Sequence, residues 1–372
     1  MNDIRLLLTI NNLDTAGMKY VLADIAEGLD PKEFQVSIGV TRRSGTDLEQ
    51  RLEKQFPLHV LPLRVSRSQR LLFPFRQWSL GRKLKGISDL AHGFDYSSDW
   101  SEALAFKSVG IPFIAEKTNL IYSERKWARK LGWATHIIGL SQAQKEQLKT
   151  FQNKVTIIPT GIDLERFENA EPFSRKMMDI GKDRVIAISV AHLVDVKGYE
   201  ELIEALARVK DRYPEFLVIS VGKGDPTYER YLKDKADGHG VSNMIQFIGP
   251  SDRVPELLKM ADLKILTTQN RGRREGFGAA IVEAMAAGLP VLATRSGGPE
   301  DIVIDGQTGW LIPGDGPESI VNGIHRIFQD RQNWNAYGQK GQQRAREQYN
   351  KKLMVKRYAE VYRKVLGGRS EE

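Results

Sequence analysis

Two glutamates bracket a glycine-rich turn in the stretch Glu275-Gly-Phe-Gly-Ala-Ala-Ile-Val-Glu283, eight residues apart. An apolar run ends near Thr268, a polar loop follows, and helix-forming residues begin at about Ala279. Gly276 and Gly278 carry no side chains, so a ligand can approach the main chain closely there. The first amides of a helix lack intrahelical partners and hold the positive end of its dipole. Turn and helix start together make an anion site suited to a diphosphate. Carboxylates beside phosphate are unfavourable unless they face hydroxyls, from which a carboxylate accepts strong bidentate hydrogen bonds. A nucleotide sugar offers such hydroxyls on its sugar at one end and on its ribose at the other. The plainer alternative makes Glu275 an N-terminal helix charge and Glu283 a surface residue.

The run continues as Glu283-Ala-Met-Ala-Ala-Gly-Leu-Pro-Val291, followed by Ser296-Gly-Gly-Pro-Glu-Asp-Ile302 and Asp305-Gly-Gln-Thr-Gly-Trp-Leu-Ile312. Lys197-Gly198 stands before a helical pattern, and Ile158-Pro-Thr-Gly-Ile-Asp163 lies near mid-chain. Taken together these motifs resemble glycosyltransferase family 4, retaining enzymes of the GT-B fold. The resemblance covers most of the second half and is thin over the first. It implies that Glu275 binds hydroxyls of the donor sugar and Glu283 the ribose. Backbone amides from Phe277 through Gly278 and Ala279 to Ala280 would contact sugar and phosphate, with Gly276 in the same turn. Lys197 would neutralise the diphosphate, and Glu275 and Lys197 are the residues on which catalysis would rest. That role fits the chemistry, because negative charge builds on the departing diphosphate and a fixed cation with helix amides stabilises it. Gly222-Lys-Gly-Asp225 resembles the family's loop near the nucleotide, and residues 246–250 fall where relatives hold the base.

Three positions depart from the family pattern. The arginine usual five residues before the lysine is His192, shorter and able to be neutral at pH 7. Arg271, Arg273 and Arg274 offer a possible substitute for its charge, or a solvated loop. The usual Gly-Gly loop after the first strand reads Asp14-Thr-Ala-Gly-Met18 and keeps only Gly17, a donor-side contact or a helix cap. Where many relatives carry a histidine, the sequence reads Glu116-Lys-Thr-Asn119. His92, Glu116, Lys117, Thr118 and Asn119 are therefore the acceptor-side candidates, His92 having a structural hydrogen-bonding role as its alternative.

Placing these groups requires a scaffold, and short apolar runs alternating with helical patterns supply one. Such alternation is the mark of βαβ units and a parallel sheet. Strands are expected at 5–10, 35–40, 59–62, 90–94, 112–115, 136–140 and 155–158, then at 185–190, 216–221, 244–248, 263–267, 290–293 and 310–312. The polar stretch between the two series carries Pro172 and Gly181. The expected organisation is an N-terminal Rossmann-like, acceptor-side domain over 1–165 and a linker over 166–184. A donor domain over 185–345 and a C-terminal helix over 346–372, crossing back to the first domain, complete it. The fold class is thus α/β, two doubly wound domains facing each other across a cleft. Such architecture alone serves dehydrogenases, binding proteins and epimerases equally.

Composition narrows the classes further. The 372 residues exceed what one core usually supports, and 41% hydrophobic content excludes wholesale disorder. There is no cysteine, which excludes disulfides, thiolate catalysis and cysteine-ligated metals. No Asp-x-Asp or His/Asp/Glu cluster has metal-binding spacing, so neither metal nor cofactor is expected. No apolar run reaches the ~18 residues of a membrane span. The N-terminus reads as a strand instead of a signal peptide, giving a cytoplasmic expectation. The net charge of +8 invites an anionic partner. Residues 64–86 hold Arg64, Arg67, Arg70, Arg76, Arg82, Lys83 and Lys85 among Leu71, Leu72, Phe73, Phe75 and Trp78, without an acid. A second cluster is Arg125-Lys-Trp-Ala-Arg-Lys130. Both suit an anionic membrane surface, or else a solvated helix face. No nucleic-acid-binding motif accompanies the charge.

The functional expectation is a metal-independent, retaining hexosyltransferase. It would move sugar from a nucleotide-sugar donor, a UDP-sugar, to a hydroxyl of a glycan or lipid-linked acceptor, in cell-surface polysaccharide or glycolipid synthesis. The competing expectations are a catalytically silent glycan- or nucleotide-binding protein on the same fold, and a nucleotide-sugar epimerase.

Overall fold

The computed structural model describes residues 3–14, 17–62, 73–95, 97–118, 124–271 and 275–367. The chain divides into two compact units, Met1–Gly161 with Lys351–Glu372, and Ile162–Asn350.

In the first unit the elements run β1 (Ile4–Ile10), α1 (Met18–Gly28), β2 (Phe34–Val40), α2 (Asp47–Glu53), β3 (Leu58–Val60), α3 (Phe73–Lys85) and β4 (Leu90–Gly93). They continue as α4 (Ser101–Ser108), β5 (Phe113–Lys117), α5 (Glu124–Trp133), β6 (His136–Gly139), α6 (Gln142–Gln147) and β7 (Val155–Ile157). Every strand pair is parallel, in the order β3-β2-β1-β4-β5-β6-β7. A parallel sheet is covered on both faces, which is why its strands read as near-continuous apolar runs. Leu6, Leu8, Val36, Ile38 and Leu90 build a core with α1 on one face. Leu7, Ala91, Phe113 and Ile137 build another with α3, α4 and α5.

The second unit contains α7 (Leu164–Glu168), β8 (Val185–Val190), α8 (Tyr199–Val209), β9 (Phe216–Val221), α9 (Pro226–Gly238), β10 (Ile245–Phe247), α10 (Val254–Met260) and β11 (Leu263–Leu266). It goes on through α11 (Ala279–Ala286), β12 (Val291–Arg295), α12 (Pro299–Ile302), β13 (Gly309–Pro313), α13 (Pro317–Gln329) and α14 (Trp334–Gln348). Its sheet is again all parallel, in the order β10-β9-β8-β11-β12-β13. Local chemistry explains the helices. In α8, Tyr199, Leu202, Ile203 and Leu206 are buried at helical spacing, while Glu200 and Glu201 sit in the first turn where the dipole favours acids. In α9, Asp225 caps the start by accepting from the Thr227 amide at 2.8 Å, and Pro226 follows it.

The last helix, α15 (Lys351–Gly367), belongs with the first unit, where Met354, Tyr358 and Tyr362 enter the core beside α1. The stretch expected to be a linker, 166–184, is instead part of the second unit. Phe173 donates its amide to the Glu256 carbonyl at 2.9 Å, and Arg175 holds Asp262 at 3.0 Å. Its polarity reflects a surface segment pinned by hydrogen bonds, which composition alone does not distinguish from a free connector.

Among the described residues no helix is long and apolar enough to cross a membrane. The basic segments divide. Residues 64–72, with Arg64, Arg67, Arg70, Leu71 and Leu72, lie outside the described residues, as do the side chains of Phe73, Phe75, Arg76 and Trp78. Lys83 and Lys85 on α3, and Arg125, Lys126 and Arg129 on α5, are exposed. α4 packs against both helices, so these bases share one face of the first unit. Trp127 and Lys130, expected at the surface, are buried. Lys130 donates from Nζ to the carbonyls of Asp95 and Ser97 at 2.8 and 2.9 Å and fastens the loop after β4.

Candidate donor site

In the second unit the sheet order reverses between β8 and β11, and ligands of doubly wound sheets bind beyond the strand ends at such a reversal. The loops leaving these two strands carry Lys197 and Glu275. They are fastened together: Gln269 donates its amide to the Val196 carbonyl at 2.8 Å, and Thr267 Oγ1 donates to the Lys197 carbonyl at 2.9 Å. Lys197 Nζ and Glu275 Oε2 form an ion pair, with side chains 20% and 18% exposed. A pair this enclosed is poorly screened by salt yet open to a ligand.

The backbone of Glu275 is held from the other side. Its amide donates to the Ser296 carbonyl and its carbonyl accepts from the Gly298 amide, each at 2.8 Å. A Cβ at Gly298 would overlap the Phe277 backbone, so the Ser296-Gly-Gly-Pro299 motif exists to let this loop lie flat against it. Gly278 begins α11 in the left-handed region, φ 101°, a conformation that other residues adopt only under strain. Phe277 turns its ring inward, edge-on to Tyr349 at 5.8 Å. Gly276, Gly278, Ala279 and Ala280 remain partly exposed at the helix start. α11 is otherwise apolar and buried, and Glu283 is its one charged residue. Burial pushes the Glu283 carboxyl up, opposed by the cations Lys264 and Arg166.

His192 and Gly222, two further donor candidates, lie at neighbouring strand ends of this unit. His192 is exposed, with Nδ1 3.3 Å from the Lys223 carbonyl. It lines a cavity of about 420 Å³ with Lys223, Gly224, Asp225 and Tyr228, which does not include Lys197, Glu275 or Glu283. Gly222 donates its amide to the Gly249 carbonyl at 2.9 Å, joining the loop after β9 to the 246–250 segment. Arg271 pairs with Glu201 on α8 while its own side chain stays about half exposed. Arg273 and Arg274 lie outside the described residues.

In the first unit Gly17 precedes α1 and is exposed, and a Cβ there would meet no atom within 4 Å. Packing therefore places no demand on this glycine. His92 and Glu116, expected on the acceptor side, have no exposed surface. His92 Nε2 lies 3.0 Å from Glu116 Oε2, and its Nδ1 lies 2.8 Å from the Tyr362 hydroxyl. Tyr358 donates to Glu116 Oε1 at 3.0 Å. Burial first, and the Glu116 carboxylate second, push both phenols upward. This network bolts α15 to β4 and β5, the structural alternative for His92. Lys117 is buried over the Trp127 ring at 4.6 Å, and burial together with Lys130 draws its ammonium down to about 8. Thr118 is partly exposed, and Asn119 lies outside the described residues.

Sequence reasoning passed over Lys264, fully buried on β11. The signal was present, since a lysine inside a strand covered on both faces breaks the pattern such strands obey.

A model of glycosyl transferases group 1 matches residues 171–344, and a model of glycosyltransferase family 4 matches residues 15–166. The chain is 31% identical over 222 residues to the GDP-mannose-dependent alpha-(1-6)-phosphatidylinositol monomannoside mannosyltransferase of Mycolicibacterium smegmatis, covering 58% of this chain and 56% of that protein. It is 27% identical over 192 residues to the N-acetyl-alpha-D-glucosaminyl L-malate synthase of Bacillus anthracis, covering 52% and 49%. The chain thus spans about half the length of these curated relatives. HepE of Anabaena, solved in complex with UDP, is similar in structure with a TM-score of 0.80 at 20% identity, over 96% of this chain and 99% of that one. A glycosyltransferase from Rickettsia africae gives 0.83 at 19%, over 98% and 99%. At these identities the structural likeness speaks to the fold.

Proposed function

Because this chain belongs to glycosyltransferase family 4, we propose that it transfers a sugar from a nucleotide-sugar donor to an acceptor hydroxyl, with retention of configuration. The observation that carries the reading is the Lys197–Glu275 ion pair held against the start of α11, with Glu283 on the same helix. A donor diphosphate would take the helix amides and the Lys197 ammonium, freeing Glu275 for the sugar hydroxyls. As the bond from the sugar to the diphosphate breaks, Lys197 and the amides stabilise the charge that develops on the leaving oxygen. The same leaving oxygen would receive the acceptor's proton on the face where the new bond forms. Lys197 and α11 do what a metal ion does elsewhere, so metal independence is part of the proposal.

UDP is our first choice of nucleotide, supported by the UDP complex of HepE. The Mycolicibacterium relative is named for GDP-mannose, which makes GDP the comparison to run beside it. Thermal unfolding of the full chain with UDP, GDP and their sugars tests the reading. A ligand that binds only the native state at 100 times its Kd stabilises by about 2.7 kcal/mol. Slow hydrolysis of the stabilising donor is also expected. Absence of any shift would end the donor-site reading, and a shift without hydrolysis or transfer would favour the silent binding protein.

The acceptor is proposed to be a glycan or lipid-linked hydroxyl, reached at a cytoplasmic membrane face, in surface polysaccharide or glycolipid synthesis. Support comes from the exposed bases of α3 and α5 on one face of the first unit. Each basic residue near an anionic membrane contributes about 1 kcal/mol. Co-sedimentation with phosphatidylserine vesicles at low salt is therefore expected, and should be lost on combining Lys83→Glu, Arg125→Glu and Lys126→Glu. Equal pelleting of the variant would remove the membrane from the proposal.

A further inference from the structure

Lys264 is the one charged residue of β11 and is fully buried. Side chains alternate along a strand. Leu263 and Ile265 enter the core that holds α8 and α13, so Lys264 points to the opposite face, where α11 packs on β11. Its neighbours in register are Ile188 on β8 and Val291 on β12, both aliphatic. Nζ has no hydrogen-bond partner among the described residues. An ammonium buried without an acceptor is among the costliest groups a sheet can hold, and methionine would fill the same space without that cost.

The charges that act on this ammonium explain its position. Burial draws it down to about 7, Glu283 opposes that most strongly, Lys197 adds to it and Glu275 opposes it. All three are donor-site residues. Glu283 in turn is acted on by Lys264 from β11 and by Arg166 from α7. A buried lysine, a cation below about pH 7, therefore lies on the face of the sheet that α11 covers.

We infer that Lys264 is a positioning residue of the donor site: from behind α11 it holds Glu283 as the carboxylate that accepts both ribose hydroxyls of the nucleotide. The inference rests on the donor-site reading above. The distinction is chemical, because a carboxylate accepts two O–H groups, whereas a carboxylic acid keeps a proton of its own on one oxygen. Burial favours the acid, and Lys264 offsets burial without touching the ligand.

Titration calorimetry on the full chain separates this role from a packing role. The probes are UDP or GDP, whichever binds the unaltered protein, and its dideoxyribose analogue, which lacks the hydroxyl pair. Lys264→Met is expected to weaken the ribose nucleotide about tenfold and to leave the dideoxy analogue unchanged. The loss should shrink as pH rises through about 7, where Lys264 discharges in the unaltered protein and Glu283 ionises unaided. In a Glu283→Gln background the same substitution should cost nothing further. If Lys264→Met does not fold, Lys264→Gln takes its place in each titration. Equal losses for both probes, or no loss for either, would overturn the inference. Failure of the unaltered protein to bind any nucleoside diphosphate would instead overturn the donor-site reading.

Discussion

Alanine at Glu275 or at Lys197 is expected to lower kcat by about 100- to 1,000-fold while the protein stays folded, the range seen when one preorganised electrostatic contact to a transition state is removed. The structure adds a thermodynamic signature. The two side chains neutralise each other before any ligand arrives, each about four-fifths enclosed. Removing one leaves the other charge without its counter-ion, a loss of roughly 1–3 kcal/mol, between the values for exposed and buried pairs. Removing both should be milder than the sum of the single losses, because no orphan charge remains. The loops hold their shape regardless, because the bonds from Gln269, Thr267, Ser296 and Gly298 run through backbone and neighbouring side chains. Steady-state rates and urea unfolding of the two single variants and the double variant check both halves. Near-normal turnover in both single variants would remove these residues from the centre of the reaction.

Glu116→Ala is expected to destabilise the protein by about 3–5 kcal/mol, the cost of taking one partner from a buried charged network. It would strip His92 Nε2 and the Tyr358 hydroxyl of their acceptor in a site without solvent. Glu116→Gln keeps an acceptor oxygen and should lose about 1–2 kcal/mol. An acceptor-binding residue would behave differently, raising KM for the acceptor with little change in stability. Urea unfolding curves of the two variants, set against their acceptor KM values, separate the roles. Because Tyr358 and Tyr362 both lie on α15, loss of the network should also expose that helix to proteases in native conditions.

The thirteen apolar runs read from the sequence each overlap one of the thirteen strands of the described residues, with ends that differ by one or two positions at most of them. Strands covered on both faces leave a local mark, a run of aliphatic residues bounded by polar turns, and need no knowledge of distant parts. The glycines around α11 were equally legible, because a positive φ or a close backbone approach forbids a side chain. The segment 166–184 was misread as a linker because polarity reports exposure to water and says nothing of what the backbone bonds to. His92 and Glu116 were misplaced for a related reason. A polar residue at a strand end looks the same in sequence whether it meets a ligand or a tyrosine 242 or 270 positions away.

By itself the sequence determined the elements, the two doubly wound units and the composition of the donor motif, since these follow from the backbone preferences and apolar spacing of adjacent residues. Only the tertiary structure decided that Lys197 meets Glu275 across 78 positions, that Arg271 pairs with Glu201, and that Lys264 is buried on the strand that α11 covers. Those pairings depend on strand order and on which face of a sheet a side chain enters. Charge acts through space between groups that the chain brings together only once it is folded.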